Sequence, residues 1–281
     1  MLLLLHGISQ QEYIGKEEDL RAKWVDLLRR GLQDMKQSNA KVEEVLDQCR
    51  MIFYADLTDP NRIGDAPGTR HAKIELYERL IDQEIDNELA RKRGLQNTLA
   101  AHRLAAYVDR FPELRKRMVR MIAREAYGYF ERPGAPEEVD ERCQEAIRSD
   151  KFALIVSHSF GTIIAYRLLS RVTGLSERLV TLGSPLGSPF MRTALAVGQT
   201  RPFATLSNWS AFADPNAIVS YVPIDIPMMF AEYKSPPPQF VSDRTIENTT
   251  DNQHSIEGYI GHPKVVAAIV EAFSRPEGVQ Q

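Results

Sequence analysis

The sequence predicts an α/β protein with a mostly parallel sheet of about six strands, helices on both faces, and a helical segment inserted between two strands. Three observations lead there. Short apolar runs of strand length alternate with amphipathic stretches of helix length, the rhythm of successive βα units. Several of the short runs are continuously apolar, as strands covered on both faces must be. One long stretch, residues 58–150, keeps helical periodicity and has no convincing strand pattern.

The elements follow in order. Leu2–Leu5 is a run of four leucines and reads as the first strand. A helix over 17–35 places Leu20, Trp24, Leu27 and Leu28 on one face, and residues 51–54 form the next strand. Within 58–150, Ile74, Tyr77, Ile81, Ile85 and Leu89 trace a helical stripe beside Glu75, Glu78, Asp82 and Glu88. Leu114, Met118, Met121 and Ile122 trace a second, flanked by Arg115, Lys116, Arg117, Arg120 and Arg124. A Pro/Gly-rich turn at 132–136 ends it, and Pro136-Glu137-Glu138 starts a further helix.

Beyond the insertion, strands are expected at 152–156, 179–182 and 203–206, with a weaker one at 241–246. A helix over 160–171 separates the first two. Ser235-Pro236-Pro237-Pro238 must be an extended loop, because proline lacks a ladder donor. Ile224, Ile226, Met228, Met229 and Phe230 form an apolar cluster that Pro223 and Pro227 mark as loop. Pro263 opens the last helix, which carries Val266, Ile269, Val270 and Phe273.

Composition narrows the functional classes. The chain has 281 residues, 43% of them hydrophobic, with 35 Lys+Arg against 38 Asp+Glu, a profile that argues against disorder. Two cysteines, Cys49 and Cys143, are too few for a disulfide framework and have no metal-ligand spacing, so a reducing, cytoplasmic setting is expected. No stretch approaches the roughly 20 apolar residues that cross a bilayer. The net charge of −3 disfavours a dedicated nucleic-acid binder. It conceals a segment, 91–132, with 11 basic and 4 acidic residues, a local +7 that leaves −10 for the rest. Pairing with the acidic helix at 74–89 in an antiparallel hairpin is one reading of that segment. A basic face toward anionic membrane or an acidic partner is the other.

The most specific chemical signal is Ser157-His158-Ser159-Phe160-Gly161, between an apolar strand and a helix. A sharp strand–turn–helix needs small residues two before and two after its apex, and Ser157 and Gly161 supply them. Ser159 then stands at the apex, close to a helix N-terminus that favours developing negative charge. A serine-rich helix cap is the bland alternative. Neither H-E-x-x-H nor a Cys/His cluster appears, so neither metal nor other cofactor is expected.

Taken with its neighbours, this segment resembles the α/β-hydrolase superfamily, especially lipase/esterase-like and acyl-transferase-like members. Leu5-His6-Gly7 is similar to the strand and His-Gly turn that supplies half of an oxyanion hole. Leu182-Gly183-Ser184-Pro185-Leu186 is similar to the turn after the next strand. His254-Ser255-Ile256-Glu257-Gly258-Tyr259 resembles the loop of the catalytic histidine. The likeness covers 1–57 and 151–275, and the chain divides into a core (1–57 and 151–281) and a helical lid or cap at 58–150.

The resemblance implies a serine hydrolase that cleaves an acyl ester of a small-molecule or lipid substrate through an acyl-enzyme. Ser159 is its nucleophile and His254 its base, with the backbone N–H groups of Ile8 and Phe160 as oxyanion donors. His6, Gly7 and His158 support the site rather than move protons, and His262 is a helix-start residue. The acid is Asp214 by default, with Asp225 as backup, because the position where related hydrolases often carry a second Asp holds Ala217. The first Gly of G-x-S-x-G is Ser157, and the two strands that usually precede the His-Gly strand are missing, hence a trimmed sheet. The cluster at 224–230 lines an acyl pocket or simply packs. A peptidase, a thioesterase or a non-catalytic interaction module remains an alternative.

Overall fold

The computed structural model describes residues 1–94, 110–147, 152–172, 174–195, 205–230 and 238–274. Its centre is a six-stranded, wholly parallel sheet. The strands are β1 (Leu2–Leu5), β2 (Cys49–Ile52), β3 (Leu154–His158), β4 (Arg178–Leu182), β5 (Asn208–Phe212) and β6 (Gln239–Asp243), in the spatial order β2-β1-β3-β4-β5-β6. Register is set by pairs such as Leu5↔Ser157 and His158↔Leu182, which bring the C-terminal ends of β1, β3 and β4 together.

Both faces are covered, which is why β1 consists of leucine alone. Leu3 and Leu5 enter one core and Leu2 and Leu4 the other. The second core is closed by α1 (Glu17–Asp34), α2 (Asn39–Leu46) and α9 (Pro263–Ser274), through Trp24, Leu28, Val45, Val266 and Ile269. The first is closed by α3 (Pro67–Gly94), α4 (Pro112–Phe130), α5 (Ala135–Ile147) and α6 (Gly161–Arg171). Two short helices, α7 (Pro189–Ala194) and α8 (Ile226–Met229), complete the loops beyond β4 and β5.

The expected strand at 203–206 is not formed where it is described: Thr205 and Leu206 lie outside any strand, and residues 203 and 204 fall outside the described residues. The fifth strand is Asn208–Phe212, where Trp209 is buried and donates through Nε1 to Thr181 Oγ1 on β4 at 3.0 Å. Its alternation of polar and apolar residues makes it less visible than a continuous apolar run. β2, β3 and β6 are each displaced by about two residues from the expected ranges. α2 was not anticipated; Ser38 caps it by accepting from Lys41 N at 3.3 Å. The cluster at 224–230 contains a one-turn helix, because Pro227 sits in a first turn, where no N–H is missed. Residues 235–237 of the proline-rich loop lie outside the described residues.

The described residues between β2 and β3 contain no strand. α3 packs along α4 and the charges interlock: Arg115 bonds Asp82 at 2.6 Å and Asp86 at 2.8 Å, and Arg120 bonds Glu78 at 3.1 Å. Arg115 and Arg120 of the basic stripe are therefore met by the acidic one, while 95–109 of the basic segment lies outside the described residues. Glu84 ties α3 to the rest. It accepts from Ser188 Oγ (2.7 Å), Tyr221 Oη (2.7 Å) and Phe190 N (2.5 Å), on the loops after β4 and β5. No helix among the described residues is long and apolar enough to cross a membrane.

Glu84→Ala would strand these donors at a half-buried junction, at a cost of about 1–3 kcal/mol. The expected outcome is a lower urea midpoint at an unchanged m-value.

Candidate functional site

β3 ends in Ser157 and His158, and the chain then turns sharply at Ser159 into α6. Ser159 has φ +53°, a left-handed conformation that a non-glycine residue keeps only when its surroundings enforce it. Enforcement comes from two sides. Ser159 N donates to Leu182 O at the end of β4 (2.9 Å), and Ser159 O accepts from Thr162 Oγ1 (2.7 Å). Gly161 lies so close to His6 O and Leu5 O that a Cβ there would overlap both. Thus the small residue after the apex is required by the approach of α6 to the end of β1.

The structure brings Ser159 and His254 together. Ser159 is 1% and His254 4% exposed, and Ser159 Oγ lies 2.8 Å from His254 Nε2. Burial, followed by the neighbouring His158, holds His254 well below the ordinary imidazole value, so the ring is neutral near pH 7. A neutral ring that accepts at Nε2 carries its proton on Nδ1. That Nδ1 has no hydrogen-bond partner among the described residues.

Asp214 does not reach it. Asp214 is buried just beyond β5, 2% exposed, but its carboxylate is turned elsewhere. Oδ1 accepts from Asn216 N (2.7 Å) and Oδ2 from Asn248 N (2.8 Å), while its own N–H donates to Tyr259 Oη (3.0 Å). Burial raises its pKa. Asp225 is exposed on the loop that leads into α8 and makes no bond to His254. Neither carboxylate named from the sequence is therefore joined to the histidine.

His6 and His158, which flank the turn, are fixed in neutral forms. His6 Nδ1 donates to Gly7 O (2.8 Å) and Nε2 accepts from Tyr54 N (3.1 Å), with the Tyr54 ring stacked 4.0 Å away. Burial pulls His6 down to about 4, as it does His158. His158 Nε2 donates to the backbone oxygen of His254 at 2.7 Å and so pins that loop. Gly7 fills the gap beside both: an added Cβ would lie 2.9 Å from Ser159 Cβ and 2.7 Å from His158 Nδ1. His262 lies at the start of α9, its Nδ1 accepting from Lys264 N at 3.3 Å.

The backbone N–H groups of Ile8 and Phe160 flank Ser159 from the β1 turn and from the start of α6. Neither has an acceptor among the described residues. A narrow cleft of about 10 Å³ adjoins the ends of β4, β5 and β6, with Val222, Ile224, Ser184, Ser220 and Arg244 among its lining. Ile226, Met229 and Phe230 are instead buried in the core under the α3–α6 face.

Several contributors were missed in the sequence. Tyr54 fixes the His6 tautomer, Gly183 makes room for the His254 ring, and Asn248 holds the Asp214 carboxylate. Gly183 belongs to the Leu182–Leu186 turn that the sequence marks; nothing in the sequence singles out Tyr54 or Asn248. Among the described residues, no three or more His, Cys, Asp or Glu side chains are gathered in a metal-binding arrangement.

The fold and this cluster define an α/β protein with a serine–histidine pair at the C-terminal end of a parallel sheet. Comparison of the chain with protein-family models, curated proteins and solved structures gave no match.

Gly161→Ala should cost about 1–3 kcal/mol, the usual penalty of overpacking. The expected readout is a lower midpoint in chemical denaturation, with a local change around His6.

Proposed function

We propose that the protein is a serine hydrolase of the α/β-hydrolase type that cleaves an acyl ester through an acyl-enzyme on Ser159. The observation that carries this reading is the 2.8 Å contact between a strained, left-handed Ser159 and a neutral His254. In attack, Ser159 Oγ bonds to the acyl carbon as its proton passes to His254 Nε2. The carbonyl oxygen becomes an oxyanion facing Ile8 N–H and Phe160 N–H, where one such donor is worth ~3 kcal/mol in the transition state. His254 returns the proton to the leaving alcohol. Water repeats the sequence, giving its proton to His254 and releasing the acid from Ser159.

The helices between β2 and β3 serve in this reading as a cap. Tyr129 and Phe130 of α4 pack edge-on against Phe160, with ring centroids 5.5 and 6.2 Å away, so the cap meets the residue beside the nucleophile.

The imidazolium formed during attack has no carboxylate on its Nδ1, so Ser159 and His254 operate as a dyad. Asp214→Asn should then lower kcat by less than about tenfold, against ~10⁴ for an acid that orients its histidine. The same change should cost about 1–3 kcal/mol of stability, because one backbone N–H now faces an amide NH₂. A kcat loss in the thousands would restore Asp214 as the working acid.

A fluorophosphonate probe should label Ser159 in the folded protein and leave Ser159→Ala unlabelled. Hydrolysis of nitrophenyl esters should fall by orders of magnitude in Ser159→Ala and His254→Ala. Absence of labelling in a folded sample returns the protein to the class of non-catalytic modules. Preference for thioesters or peptides over esters would instead reassign the bond that is cleaved.

A further inference from the structure

The turn that carries Ile8 depends on a residue from far along the chain. Ser9, immediately after Ile8, has φ +60°, a second left-handed non-glycine conformation that its surroundings must hold. What faces it is Glu125 of α4, 3% exposed. The Ser9 backbone lies beside this carboxyl group in the same cleft wall and favours its ionised form. Thr58 Oγ1 donates to Oε1 at 2.6 Å and Gln11 Nε2 to Oε2 at 3.3 Å.

We propose that Glu125 is a positioning residue for the oxyanion turn: its carboxylate, reaching in from the cap helix, holds Ser9 and thereby fixes the direction of Ile8 N–H. This rests on the reading of Ile8 as an oxyanion donor. α4 is itself anchored at this point. Gly128, one turn beyond Glu125, lies so close to Thr58 O that a Cβ there would overlap it, so helix and turn are braced against the same residue.

The groups around the carboxylate do not neutralise it. Asp59, on the loop after β2, is of like sign; Tyr54 and Gln11 are uncharged; Arg124 is its neighbour on α4 but forms no ion pair with it among the described residues. Burial pushes Glu125 up to about 7. A cleft of about 200 Å³, lined by Ser9, Gln11, Asp59, Asn61 and Arg124, opens beside it and gives water a route for proton exchange. The ionised form accepts from Thr58 and Gln11 and is favoured by the Ser9 backbone beside it. The protonated form turns one acceptor into a donor and loosens the turn, so activity rises as pH increases through about 7. His254 cannot produce that limb, because its own transition lies well below the ordinary imidazole value.

The test uses the full chain, a nitrophenyl ester and pH profiles across neutrality. Wild type should show kcat rising through about pH 7. Glu125→Gln should lower kcat about tenfold with KM little changed, the size of one lost charge-assisted bond, and should abolish the limb. Thr58→Val, which removes one donor to the carboxylate, should move the limb to higher pH. Thermal unfolding shows that the variant is folded and titrates as argued. A folded-state pKa above the unfolded one means that wild type loses stability as pH rises through about 7, and Glu125→Gln should lack that loss. A folded Glu125→Gln with wild-type kcat and an unchanged limb overturns the proposal. If wild-type Ser159 reacts with the fluorophosphonate, that failure belongs to Glu125 alone; if it does not react, the hydrolase reading itself fails.

Discussion

The site is organised by one constraint, the left-handed turn at Ser159 wedged between the ends of β1, β3 and β4. That conformation is unfavourable for a serine in isolation and persists because backbone on both sides holds it: Leu182 O accepts its N–H, and Gly161 is pressed against the end of β1. The parallel register makes this possible, since Leu5 lies beside Ser157 and His158 beside Leu182. The His6-Gly7 turn, the apex serine and the Gly183 turn therefore converge at the same end of the sheet. Parallel α/β sheets commonly bind ligands at this end, where side chains from separate loops can meet.

Electrostatically the site is built from neutral groups. Three histidines, His6, His158 and His254, are buried around the turn that carries the nucleophile, and burial lowers all three. Their different roles come from hydrogen bonds. His6 is used at both ring nitrogens by backbone, His158 spends Nε2 on the His254 carbonyl, and His254 alone offers a nitrogen to the serine. The carboxylate that the site lacks on His254 is present nearby but committed to two backbone N–H groups. A buried carboxylate that forms no direct ion pair among the described residues takes whatever donors are fixed in place, and the backbone of Asn216 and Asn248 provides them.

How much could be read from the chain follows from how local each signal is. The leucine run of β1, the long stripes of α3 and α4, and the strand–turn–helix around Ser159 are all local patterns; the first three lie where expected, and the strand before Ser159 runs two residues further than its apolar run. β5 was misplaced because its alternating residues are recognisable as a strand only beside β4. α2 was missed because its eight residues carry only Val42, Val45 and Leu46 to the core. The pairing of acidic α3 with basic α4 was one of two open readings, and the ion pairs of Arg115 and Arg120 are its contacts.

By itself the sequence determined the α/β class, the helical character of the segment between β2 and β3, and the serine at a sharp turn, because periodicity and turn chemistry are properties of neighbouring residues. Only tertiary structure decided that His254 meets Ser159 through Nε2 while its Nδ1 has no partner among the described residues, that Asp214 faces Asn248 rather than His254, and that Glu125 is buried against Ser9. Those partners are separated by 95, 34 and more than 100 positions along the chain. Over such distances no local pattern selects one acceptor from several; packing selects it, by deciding which groups are buried together and must satisfy one another.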